Sequence, residues 1–238
     1  MPSRKKPPAP PPAPEPPWWG PRRGARRRQQ PLSRQSIVEA AVRILDAEGV
    51  DALTVRRLGD ELGTGSATLY WHIRSKDDLG ELVYDHVMGE VALPDPDPSV
   101  WQEQLKELAR RCYHVMLQHN DLARLSMGRV PVGPNMLRII EWSLRLLRSA
   151  GVPDRAAAYA GDILGRYLDA SVLEATARGG PPVEALGEYF ASLPADAFPN
   201  VRAVSGAMFA GDDDDRFEFG LDLLVRGLAA LVPDPPSR

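Results

Sequence analysis

Residues 53–76, LTVRRLGDELGTGSATLYWHIRSK, constrain the fold most, because their apolar spacing and glycines suit two short helices joined by a tight turn. Thr54 is placed to accept from free backbone amides as an N-cap, with Leu53 and Leu58 at the flanking staple positions. Gly63 supplies a left-handed stop. Thr64 and Gly65 carry the turn, and Ser66 is placed to cap a second helix over 67–73. Leu69 and Ile73, four apart, form its inner face, which leaves Ala67, Thr68, Tyr70, Trp71 and His72 on outward and flanking surfaces. A solvated helix rarely exposes Trp, Tyr and His unless a partner covers them. Two coverings remain open from the residues: packing on neighbouring helices, or a DNA major groove, whose thymine methyls, base edges and phosphates suit these side chains. The spacing and the turn together favour the groove.

The rest of the chain reads as helix. Ser33 is an N-cap for a helix with Ile37, Ala40, Ala41, Ile44 and Leu45 on one face, ending near Gly49. Ser75 caps the next, with Asp77 and Asp78 in its first turn and Leu79, Leu82, Val83, His86 and Val87 on one face, so the spacing turns His86 inward. PDPDPS at 94–99 breaks the chain before a capping box of Ser99 and Gln102, and Trp101, Leu105, Leu108, Cys112, Val115 and Met116 then follow a helical stripe to about Asn120. Further helices are expected over 121–127, 135–150, 154–178 and 216–231, with two short ones between 179 and 215. No segment alternates as a strand would. The expected fold is all-α: a disordered Pro-rich and basic tail over 1–32, a helix-turn-helix domain with the helix that follows it over 33–92, and a second helical domain over 93–238.

Charge is divided unevenly. Residues 1–34 carry a net +8, 35–92 a net −6, and the remainder −5. Ten of the 24 prolines lie in the first 21 residues, which should be extended, and RRGARRR at 22–28 is either a solvated charge run or an arm for DNA phosphates. In the acidic head, positive potential must come from Arg56, Arg57, Arg74 and Lys76. Cys112 is the only cysteine, which rules out an internal disulfide and suits a reducing interior. Neither a signal-peptide h-region nor a membrane-length apolar run is present, so a cytoplasmic protein with no membrane partner is expected.

Residues 37–82, and TLYWH followed by Lys76 in particular, resemble the DNA-binding domain of the tetracycline repressor family. The resemblance implies a bacterial homodimeric repressor that leaves double-stranded operator DNA when a small-molecule effector binds its other domain, which makes 93–238 the regulatory, ligand-binding and dimerisation domain and the last helix of 33–92 the connecting helix. It implies backbone contact from Thr54 and base contact from Arg56. It also places Ser66, Ala67, Thr68, Tyr70, Trp71 and His72 on the recognition helix, and Lys76 on a phosphate. Ser66 and Ala67 depart from the family's Gln-Pro pair, so the operator should differ. Small-residue helices over 156–177 and 217–231 correspond to the family's four-helix dimer bundle.

The resemblance continues more weakly through WQ at Trp101, the His119 and Asp121 pair, GRVP at 128–131 and VLE at 172–174. The tetracycline site itself is mostly absent. Ser126 stands where the family has a magnesium-binding histidine, Leu108 and Cys112 where it has Asn and Phe, and Trp142 where it has Gln; Glu174 alone keeps its carboxylate. A drug–magnesium complex therefore fits poorly, and no metal or cofactor is expected. An apolar pocket near Leu108, Cys112, Met116, Ser126 and Trp142, with His86 as a minority hydrogen-bonding candidate, would suit a hydrophobic or planar molecule. The same side chains equally suit a filled core.

Other clusters read plainly. His114 and His119 are five apart and share no metal-binding face; His119 is expected to cap the chain near Asp121. Asp212 to Asp215 read as a solvated helix N-terminus. GxSxG, GxxxxGK and HExxH are all absent, so no enzyme is expected. The alternative to a regulator is a small-molecule-binding interaction protein with a degenerate DNA-binding head.

Overall fold

Eleven α-helices and no strand form the residues described by the computed structural model, 32–233 apart from 129 and 178–181. The basic run at 22–28 and the Pro-rich tail lie outside them.

Three helices make the head. Helix α1, Arg34–Glu48, starts on Ser33, whose hydroxyl accepts from Ser36 N, and stops at Gly49, whose φ of 81° only glycine adopts readily. Helix α2, Val55–Glu61, is capped by Thr54, which accepts from Arg57 N. Helix α3 is shorter than expected, Ser66–Leu69, with Gly65 as its N-cap and no side-chain cap, so Ser66 is its first residue and not its cap. Beyond Leu69 the backbone bonds tighten, Trp71 N to Thr68 O and His72 N to Leu69 O, while Ile73 N returns to Leu69 O. This 3-10-like finish still buries Leu69 and Ile73.

Helix α4, Lys76–Met88, starts on Ser75, which accepts from Asp78 N, and runs from the head into the regulatory core against helices described below. Its buried face turns along its length. Leu79, Leu82 and Val83 are buried near its start, whereas Asp85 is buried and His86 exposed near its end. The inward orientation expected for His86 is therefore overturned, because at that level the start of α7 packs over the neighbouring Asp85.

The expected capping box at Ser99 and Gln102 is replaced by another device. Asp97 accepts from both the amide and the hydroxyl of Ser99 and starts a 3-10 turn, Pro98–Val100, that leads into α5, Trp101–Leu117. The core then assembles from α5, α6 (Leu122–Ser126), α7 (Pro134–Ser149) and α8 (Asp154–Thr176). Helices α9 (Val183–Ser192) and α10 (Pro199–Met208) pack on one another, and α11, Asp213–Ala229, lies across α5 and α8. Asp212 and Asp215 form a capping box at its start, three residues before the expected 216. Ring stacking of Tyr113, Phe217 and Tyr167 joins α5, α11 and α8.

The head is tied to the regulatory core at the corner between α5 and α6. Asp121, in left-handed backbone with φ 56°, accepts from Val50 N at 3.0 Å. His119 does not cap near Asp121 as expected; its Nδ1 meets the Asp46 carboxylate of α1 at 3.1 Å. The imidazole thus bridges from the end of α5 to α1.

Candidate functional site

The outward surface of the head is built by one close crossing and one glycine reversal. Gly59 lies where a Cβ would sit 2.8 Å from Thr64 O, so the turn backbone can cross directly over α2. Thr64 N closes that approach by bonding to Gly59 O. Gly63, at φ 61°, makes the reversal. With Leu58 and Leu69 buried beneath, the side chains above have one direction left.

Arg56 points outward and exposed from the first turn of α2, and among the described residues no ion pair holds it. Arg57 beside it is committed: Glu48 and Glu61 grip its guanidinium and hold its pKa above the ordinary value. Ala67, Thr68, Tyr70 and Trp71 form an exposed patch, the two rings 47% and 43% accessible, with Ser66 and His72 half-buried at its edges and Lys76 exposed beyond. Burial, with a contribution from Arg34, lowers the pKa of His72, so at neutral pH it offers a neutral imidazole. The patch joins a forked cation, two aromatic rings and small polar groups, the set that reads base edges and phosphates. Gly59 was not singled out in the sequence; its signal, a glycine inside an otherwise helical run, is a packing signal visible only with the turn in place.

In the regulatory domain, Leu108, Cys112, Met116, Ser126 and Trp142 are all buried, on helices α5, α6 and α7 that pack together. The Trp142 indole donates to Pro94 O, and burial pushes the Cys112 thiol up to about 12, so it is an inert apolar filler. Glu174 is exposed on α8, and His86 is exposed on α4; neither stands in this buried group.

Two polar side chains that sequence reasoning missed lie beside it. Ser126 Oγ is 2.9 Å from Ala123 O and 2.5 Å from the Asp169 carboxylate of α8. One hydroxyl proton cannot serve both acceptors, so the arrangement is satisfied in full when Asp169 is protonated, donating to Ser126 while Ser126 donates to Ala123. Burial raises the Asp169 pKa, against the opposing bond from Ser126, and Tyr84 is raised by burial and by Asp169. A carboxyl spaced at helical intervals gives no sign in sequence of which face will be covered.

A folded-state pKa raised above the ordinary carboxylate value means that the folded protein binds this proton more tightly than the unfolded chain does, so stability is lost as pH rises through the interval between the two values. In Asp169→Asn the amide donates as the protonated acid would and never ionises. Relative to wild type the variant gains stability from about pH 4 upward, then levels off above the raised pKa. Urea unfolding across a pH series checks this; a pH-independent difference would show that Asp169 carries no such shift.

Comparison with known proteins bears on both regions. Residues 37–83 match the bacterial regulatory proteins of the tetR family, and residues 93–232 match the tetracyclin repressor-like C-terminal domain. An HTH-type transcriptional regulator of Saccharopolyspora erythraea is 34% identical over 212 residues, spanning 84% of this chain and 86% of the relative. The crystal structure of apo ActR from Streptomyces coelicolor is 45% identical, with a TM-score of 0.82 over 86% of this chain and 98% of that one. The same protein in complex with actinorhodin gives 45% identity and a TM-score of 0.80 over 84% and 98%. With matches over both the head and the regulatory domain, this chain belongs to the tetracycline repressor family of DNA-binding transcriptional regulators, which are not enzymes.

Proposed function

We propose that the protein is a homodimeric repressor that holds a palindromic operator and is released from it by a hydrophobic or planar small molecule. The observation that carries this reading is the exposed set Arg56, Tyr70 and Trp71 on a head whose inner face, Leu58, Leu69 and Ile73, is fully packed. Thr54, Ser66, Ala67, Thr68, His72 and Lys76 complete the DNA-facing surface. An interaction protein with a degenerate head would have no reason to keep an uncommitted arginine beside two solvent-facing rings.

Dimerisation is supported by the outward faces of α8 and α11. Tyr159 and Ile163 on the first and Phe219 and Leu223 on the second are exposed, an apolar surface that a second copy would cover. Two heads related by that two-fold axis would read two half-sites.

The effector region is the buried group Leu108, Cys112, Met116, Ser126 and Trp142. Tyr84 and Asp169 add a polar anchor to its apolar walls, a combination that suits a largely apolar ligand with a hydroxyl or carbonyl group. ActR, 45% identical, binds actinorhodin, which supports a small-molecule effector in this chain. Coupling runs through α4: its first turn carries Lys76 at the DNA surface, and near its end Asp85 accepts from Met136 N at the start of α7. A ligand that spreads α5 and α7 would move α4 and with it the head.

The test is footprinting of the full-length protein on DNA flanking its own gene, at two salt concentrations, with and without actinorhodin and other hydrophobic planar compounds. A palindromic footprint lost on adding one of them supports the proposal. Salt-sensitive retention with no defined footprint would leave only nonspecific attraction by the basic tail.

A further inference from the structure

Helix α1 runs away from the regulatory core. Its last turn is fastened there, with Asp46 at 3.1 Å from His119 and the following Val50 N at 3.0 Å from Asp121. Its pairing with α2 is antiparallel, since Glu48 meets Arg57 early in α2 and Arg43 meets Glu61 at its end. The helical rise therefore carries its first residue, Arg34, about 18 Å along the axis from Asp46, beyond the end of α2. There it lies beside the exposed patch of the head: burial lowers the pKa of His72, at the edge of that patch, and the charge of Arg34 adds to the effect. The chain that precedes Arg34 thus leaves the head at the rim of the DNA-facing surface.

The head by itself is short of positive charge. Residues 35–92 hold eleven carboxylates and five Lys or Arg, and Arg43 and Arg57 are paired with Glu61 and Glu48. That leaves Arg56, Arg74 and Lys76, all exposed, to offset the repulsion between an acidic head and a polyanion. The sequence just before α1 has the opposite balance: Arg22, Arg23, Arg26, Arg27 and Arg28, then Gln29 and Gln30, with no Asp or Glu between Glu15 and Glu39. Arginine and glutamine are side chains that read a minor groove, arginine above all where A·T pairs narrow it and deepen its negative potential. Distance selects among them. Arg28 stands six residues before Arg34 and Arg26 eight, spans of at most about 22 Å and 29 Å. From a head seated in the major groove, the adjoining minor groove is half a helical turn away, about 17 Å. Arg26, Arg27 and Arg28 are the first cations before α1 that can reach it.

We propose that Arg26, Arg27 and Arg28 enter the minor groove adjoining each half-site and impose a preference for A·T pairs there, at positions that the head itself does not touch. The inference rests on the operator-binding reading and extends it: the operator is longer than the surface of the two heads, and its added positions are read through groove width and potential, not through major-groove base edges. Arg22 and Arg23, further along the chain, add phosphate attraction without sequence preference.

The test is fluorescence anisotropy of the full-length protein on the footprinted operator, with the pairs adjoining each half-site made A·T, G·C or inosine·C. Inosine lacks the guanine amino group, so inosine·C presents the minor-groove face of A·T and the major-groove face of G·C. The expected result is binding about tenfold tighter to A·T and inosine·C flanks than to G·C flanks. In a full-length variant carrying Arg26→Ala, Arg27→Ala and Arg28→Ala, that preference should vanish and the salt dependence should fall by up to about three counterions per protomer. Arg22→Ala with Arg23→Ala, the charge control, should weaken binding to all three flanks alike. Equal affinity of the unaltered protein for A·T and G·C flanks, a preference that persists in the triple variant, or inosine·C behaving as G·C would each overturn the proposal. So would a triple variant that binds as tightly as the unaltered protein, the result expected if these arginines lie on the acidic head and not on DNA. A palindromic footprint over the two half-sites accompanying any of these leaves operator binding standing, whereas loss of the footprint itself would remove both.

Discussion

Arg56→Ala is expected to weaken operator binding by about tenfold to a hundredfold and to relax sequence preference at one position in each half-site, the loss that follows when a bidentate guanine contact is removed. Arg56 is exposed and, among the described residues, uncommitted, so little folding stability should go with it. Arg57→Ala is the matched control. Its guanidinium is already held by Glu48 at 2.6 Å and Glu61 at 3.0 Å, so its removal should leave base preference intact. Lys76→Ala should weaken binding to all sequences alike and lower the salt dependence by about one counterion. Fluorescence anisotropy on the footprinted operator and a scrambled version, at several salt concentrations, separates the three. Equal losses on both DNAs for Arg56→Ala would remove it from the base-reading set.

Gly133→Ala should cost substantial stability for a single added methyl. An added Cβ would lie 2.1 Å from Asp85 Oδ1 and 2.2 Å from its Cγ, with no flexible end free to yield, because that carboxylate accepts from Met136 N at 2.9 Å and from the Asn135 amide. Either α7 shifts its start or Asp85 leaves its bonds, and a buried acceptor on α4 loses its partners. The cost should be about 2–4 kcal/mol, the range for overpacking combined with a broken buried polar contact, and the melting temperature should fall by about 4–16 °C. Thermal unfolding monitored by circular dichroism measures this, and a change below 1 °C would mean that the α4–α7 contact is loose. Because α4 also carries the head, Gly133→Ala should shift effector response even at temperatures where it stays folded.

Local signals carried far in this chain. The caps at Ser33, Thr54 and Ser75 were legible because a short hydroxyl side chain before an apolar run has one low-energy use, and the structure places each on the amide three residues on. Leu69 and Ile73 fell inward because four-residue spacing puts two side chains on one face whatever surrounds them. The all-α class and the exposed aromatic patch followed from the same periodicity. Where local signals competed, the sequence reading failed. Ser66 and Gly65 both suit a cap, and the close crossing of Thr64 over Gly59 decided for Gly65. Asp97 and Ser99 both suit one, and Asp97 won because Ser99 can donate to it.

What only the tertiary structure decided is which polar groups are covered. His86 lies on an apolar stripe in sequence and is exposed, while Asp85 next to it is buried, because α7 lands on one side of α4 at that level. Asp169 looks like any helical carboxylate until Ser126 meets it from α6. Helical periodicity is set by bonds within four residues and can be read along a chain. The partner of a buried carboxyl or hydroxyl comes from a segment tens of residues away, and only packing brings it there.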